Sequence, residues 1–127
     1  MITALMVKPG KHPWPVQLCN DADFLQRAVS MEEVTVCSVG VERLADDVAI
    51  LYNRDGVWLG LDGNRRVGSK ILAGVFYIVG CSDGELTSLP DSEIVRYTAQ
   101  FWDPEFYEVD EIQDNWLVGL TDELDEL

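Results

Sequence analysis

Continuous apolar residues from Ile2 to Val7, stopped by Lys8-Pro9-Gly10, predict a buried strand at the start of the chain. Gly10–Pro15 reads as a loop, with the prolines around Trp14 holding it extended. Val16-Gln17-Leu18 is then placed to pair back on the first strand as a short edge. Val34–Val39 is rich in β-branched residues and predicts a strand, as does Val48–Tyr52. Asn53-Arg54-Asp55-Gly56 supplies turn chemistry before Val57-Trp58-Leu59, so a β-hairpin is expected there. Leu61–Gly68 is polar and glycine-bearing and reads as a loop. Ile71–Val79 is apolar at both alternating sets of positions, the pattern of a central strand covered on both sides. Asp83-Gly84 marks the next turn.

Two stretches follow the helical period instead. Asn20 or Asp21 can cap a helix over about 21–30, whose Phe24, Leu25, Ala28 and Val29 make one apolar stripe. A second helix opens at Pro90, with Asp91 and Glu93 in its first turn, Ile94, Tyr97, Thr98, Phe101 and Trp102 in phase, and Pro104 as its stop. In the C-terminal segment Val109, Ile112, Trp116 and Leu120 suggest an amphipathic helix. These elements predict an α+β fold: a mixed or antiparallel sheet of about five strands, with two helices packed on it and an acidic tail. The expected division is a domain over 1–103 and a tail over 104–127.

Charge sharpens that division. The 127 residues carry a formal net charge of −14. Residues 103–127 hold ten acids and no Lys or Arg, which leaves 13 acids against nine bases in residues 1–102, a net of −4. Direct binding of nucleic acid or of an acidic membrane surface is therefore not expected, since both need a basic patch. The three cysteines, Cys19, Cys37 and Cys81, are widely spaced and odd in number, which argues against a disulfide framework and suits a reducing cytoplasm. The apolar start lacks a basic lead-in and a cleavage site, and is not read as a signal peptide. The longest apolar run is too short to span a bilayer.

Gly63–Lys70 has glycines at the spacing of a phosphate-binding loop, but Ser69 and Lys70 are transposed and a strand follows where a helix is needed. It is read as a turn. His12 is the only histidine and has no evident orienting partner. No ligand set for a metal is present, and no cofactor is called for. Arg65 has two readings: a structural residue reaching across its loop to an acid or to backbone carbonyls, or part of an anion-binding spot with Asn64 and Arg66.

Several short pieces resemble one known family. Leu61-Asp62-Gly63-Asn64-Arg65 followed by Ile71–Gly80 looks like the Asn-Arg loop and following strand of the domain of unknown function 3846 family. Met6–Gly10, Asp46–Asn53 and Ser88–Ile94 resemble that family's opening, a further strand and a helix start, in the right order. The resemblance covers about residues 1–102 and leaves the acidic tail outside it. It implies an origin in bacteria, phages or other mobile elements, and no activity.

The expectation is a non-enzymatic, cytoplasmic protein of a phage or mobile element that binds a basic partner protein through its tail. A DNA mimic or anti-defence factor is the sharper version. The tail interleaves acids with aromatic anchors, giving Glu105, Phe106, Tyr107, Glu108, Asp110, Glu111, Asp114 and Trp116 as candidate partner contacts. The alternative is a small-molecule or nucleotide-binding module using Asn64, Arg65 and Arg66. The tail's apolar stripe has two resting places, its own sheet or a second copy of the chain in a homo-oligomer.

Overall fold

Among the described residues six strands and three helices build the body around one antiparallel sheet, with a separate two-stranded hairpin beside it. The computed structural model describes residues 1–30 and 39–125, with side chains as far as Val118. Strand β1 (Ile2–Val7) turns back at Gly10 and pairs with β2 (Trp14–Leu18), the sheet edge expected there. Helix α1 (Ala22–Val29) starts where Asp21 caps it, its carboxylate accepting the amides of Asp23 (2.9 Å) and Phe24 (3.2 Å). The strand expected at Val34–Val39, and Cys37 with it, lie outside the described residues apart from Val39.

From Val39 the chain forms β3 (Val39–Ala45) and β4 (Val48–Asn53), joined at Asp46-Asp47. Strand β3 escapes the sequence pattern because Gly40, Glu42 and Arg43 interrupt its apolar residues. It is the far edge of the sheet, where charge discourages pairing with other chains. Gly40 is required there: a Cβ would meet the Tyr52 ring at 2.4 Å. The hairpin expected from Val48–Tyr52 to Val57–Leu59 does not form. Asn53 Oδ1 accepts the Asp55 amide (2.9 Å), and successive turns wind residues 54–60 into a coil that leaves no strand.

The apolar run expected as one strand is two. Strand β6 (Lys70–Ala73) pairs with β5 (Gly63–Val67), while β7 (Phe76–Ser82) crosses into the main sheet between β1 and β4. The break is Gly74, whose φ of 83° suits glycine and bends the chain between sheets. The loop expected at 61–68 thus contains strand β5, with Gly68 in the hairpin turn. Strand β7 then turns at Asp83-Gly84, both at positive φ, into β8 (Glu85–Thr87). Helix α2 (Asp91–Gln100) begins after Pro90, which stands at the cap and makes no side-chain cap bond. A third helix, α3 (Val109–Asp125), follows. No helix among the described residues is long and apolar enough to cross a membrane.

Alternation along the strands splits the core in two. Ala4, Leu51, Tyr77 and Val79 face α1 through Leu25 and Val29. Leu5, Ile50, Phe76 and Ile78 face α2 through Tyr97 and Phe101, and take Leu72 of the hairpin. A third cluster joins Val57, Ile71 and Ala73 to Ile112 of α3, which is 1% exposed.

Candidate partner-binding site

The surface that carries charge is set by two buried polar residues beneath it. Asn64 donates to the carbonyls of Val7 (2.8 Å) and Gly74 (2.9 Å), tying the end of β1 to the β6–β7 bend. Arg65 is fully buried. Its Nε and Nη2 donate to the Phe101 carbonyl (3.1 and 2.8 Å), Nη2 also to Lys11 (2.6 Å), and Nη1 to Lys8 (3.5 Å) and to Asn64 Oδ1 (2.8 Å). Each of the five guanidinium N–H groups therefore has an acceptor. Phe101 caps the C-terminus of α2, where the helix dipole is negative and favours a cation. Burial pulls the Arg65 pKa down, against the opposing fields of Glu105 and Asp103.

Of the two readings of Arg65, the bonds match the structural one, a side chain reaching across to backbone carbonyls. Asn64 and Arg65 are enclosed, with their donors committed to the protein's own oxygens. Arg66 alone faces solvent. Regular alternation would not bury two consecutive residues; the ladder between β5 and β6 is irregular from Gly63 to Arg66, and there Asn64 and Arg65 both turn inward while Arg66 turns out. His12 finds in the fold the orienting partner that the sequence did not show. Its ring stacks on Trp102 at 3.9 Å between centroids, and its Nδ1 donates to the Trp102 carbonyl (2.6 Å).

Beyond α2 the chain is fastened back to β5. Glu105 Oε1 accepts the Arg66 amide (3.1 Å) and the Tyr107 hydroxyl. Burial and the Glu105 carboxylate raise the Tyr107 pKa, opposed by Arg66. Helix α3 then docks along β6. Asn115 Oδ1 accepts the Ile71 amide (3.0 Å), Asn115 Nδ2 donates to Ser69 (2.9 Å), and Trp116 Nε1 donates to Ile71 (2.7 Å). These bonds satisfy the edge of β6 that faces away from β5. Lys70 sits 4.5 Å over the Trp116 ring and 3.7 Å from Glu42. Of the tail's expected apolar stripe, Ile112 and Trp116 rest on the chain's own sheet, whereas Val109 is largely exposed. The side chain of Leu120 lies outside the described residues.

What the docked helix leaves outside is the candidate site. A cleft of about 460 Å³ opens between Pro9-Gly10, Asp62-Gly63 and residues 106–111. Phe106 stands at it 84% exposed. Asp62, Glu108 and Glu111 line it, and no Lys or Arg is among its described lining residues. Asp110 and Asp114 are exposed farther along α3, followed by the exposed apolar pair Leu117 and Val118. Of the eight expected partner contacts, Phe106, Glu108, Asp110, Glu111 and Asp114 face solvent, and Glu105, Tyr107 and Trp116 hold the segment down. Sequence reasoning missed Pro9, Gly10, Asp62 and Gly63 as cleft walls, because they reach it only through the Asn64–Arg65 pin. Among the described residues no cluster of His, Cys, Asp and Glu is set to hold a metal ion.

Fold and site together define a small α+β domain on an antiparallel sheet, carrying an acidic cleft with an aromatic lip. The chain belongs to the domain of unknown function family DUF3846, whose model matches residues 2–102. The match ends at Trp102, so Phe106 and α3 lie beyond it. No curated protein and no solved structure matches the chain.

Proposed function

We propose that this is a non-enzymatic binding protein that engages a basic partner protein through the Phe106 cleft and the outer face of α3. The observation that carries this is the largely exposed Phe106 beside a cleft lined by Asp62, Glu108 and Glu111 without a base among the described lining residues. Carboxylates gathered in a concave site focus a negative field and draw cationic groups. An exposed ring beside them adds an apolar anchor and a face for an Arg or Lys, a contact contributing about 0.5–1 kcal/mol at an exposed site.

Charge density favours a protein partner over mimicry of DNA. Helix α3 holds six carboxylates from Asp110 to Asp125. At about 1.5 Å of rise per residue that is roughly one charge per 4 Å. Duplex DNA has one per ~1.7 Å. The acids also form two blocks, separated by Asn115–Thr121.

The test is fluorescence anisotropy with a labelled synthetic peptide alternating Arg and Leu, titrated with the full chain. Saturable binding is expected, weakened about tenfold or more both in Phe106→Ala and in the D110N/E111Q/D114N variant. Absence of binding, or wild-type affinity in either variant, overturns the reading.

A further inference from the structure

Two lysines near the start of this acidic chain line a second pocket. Lys8 and Lys11 bracket the turn after β1, with Gly10 at φ 73° and the Lys11 amide donating to the Lys8 carbonyl (3.2 Å). Arg65 grips that turn from beneath, holding the carbonyl oxygens of both lysines. The backbone of the two lysines is therefore fixed while their side chains stay in solvent. Both side chains border one pocket of about 410 Å³, whose described walls include Met6, Ala28, Val75 and Tyr77. Ser30 and Asp62 are the polar residues beside them. The Tyr77 hydroxyl donates to the Ala28 carbonyl (3.0 Å), which leaves its oxygen free to accept.

We infer that this pocket binds a small organic carboxylate with an apolar body, the head between Lys8 and Lys11 and the body against Met6, Val75 and the Tyr77 ring. The volume falls in the lower part of the about 300–1,000 Å³ range of small-ligand sites. Such sites pair apolar walls with a few fixed polar groups, and that is the division seen here. Among the described lining residues two ammonium groups stand against one carboxylate, that of Asp62, so an anionic head is favoured even in a chain of net negative charge. The buried Arg65 acts as a positioning residue: it sets the distance between the lysines without reaching the ligand. This site shares Pro9 and Asp62 with the acidic cleft but calls for the opposite charge, and its lysines are not among the cleft's described lining, so the two readings are tested by different variants.

Titration of the isotope-labelled full chain with decanoate below its micelle concentration, followed by amide NMR, tests the inference. Saturable shifts are expected at residues 8–11, 28–30 and 75–77. The affinity should fall about tenfold or more in K8E/K11E. It should hold in R43E/R54E, which changes net charge equally at exposed sites elsewhere. Decanol, which lacks the anionic head, should bind more weakly than decanoate. Shifts that do not saturate or that map elsewhere, equal binding of decanol, or equal loss in the two charge variants would each overturn it.

Discussion

Replacing Arg65 is the sharpest test of how the fold is held. The side chain is fully buried and its acceptors are mostly backbone carbonyls. Exchanging a buried ion pair for apolar residues is often harmless, because both desolvated charges leave together. Here the acceptors cannot be removed, so relief of the guanidinium's desolvation is offset by orphaned oxygens. Phe101 is buried, and its carbonyl would stay unpaired at about 1–3 kcal/mol. Lys8 and Lys11 lie at the surface, where water replaces the lost bonds at a smaller cost, about 0.5–1 kcal/mol each. With the cavity left by the side chain, Arg65→Ala should lose about 4 kcal/mol, in the tail of single-site effects. Arg65→Met fills the cavity and should lose about 3 kcal/mol. Arg65→Lys keeps the charge without the fork and should lose about 2 kcal/mol. Urea unfolding followed by tryptophan fluorescence gives these differences from the midpoints at a common slope. A loss below about 1 kcal/mol for Arg65→Ala, or wild-type stability for Arg65→Lys, would refute the claim that this fork closes the structure.

Three further outcomes follow from other parts of the molecule. Ile112→Ala should cost about 3 kcal/mol and speed amide hydrogen exchange in α3 more than in α1; uniform exchange rates would mean that Ile112 does not dock the helix. Gly80→Ala places a Cβ 2.6 Å from the Ser88 carbonyl and should cost about 3 kcal/mol or more, whereas Gly10→Ala meets only open space and its positive φ should cost about 1 kcal/mol. Thermal melts rank the pair, and a reversed order would contradict the assigned close approach. Burial raises the Tyr77 pKa above its ordinary value of about 10, as it does for Tyr52 with help from Glu42. Their contribution is fully present below that value and is lost as pH rises through the higher folded pKa values, because the unfolded chain ionises first. Stability measured from pH 9 to about 11.5 should fall, and less steeply in Tyr77→Phe; identical slopes would show that Tyr77 is not linked to folding.

The sequence alone determined what rests on neighbours in the chain. Strand β1, the Asp21 cap, α1, the start of α2 and the Asp83-Gly84 turn were all legible, because local periodicity and turn chemistry act over a few residues. The split in charge between residues 1–102 and the tail was legible for the same reason. Three things were decided only by tertiary structure. Ile71–Val79 reads as one strand, yet Gly74 bends it because Ile71 and Phe76 belong to different cores. Residues 57–59 look like a strand and form none, because β4 already has β3 and β7 as partners. A structural Arg65 reaching backbone carbonyls was one of two readings of the sequence, but which carbonyls it takes was not legible, because those of β1's loop and α2's end converge on it from 36 to 57 residues away in sequence. A periodic pattern records which side of an element is apolar. It carries no record of which distant carbonyl will need a donor, and the cleft beside Phe106 exists only once that need is met.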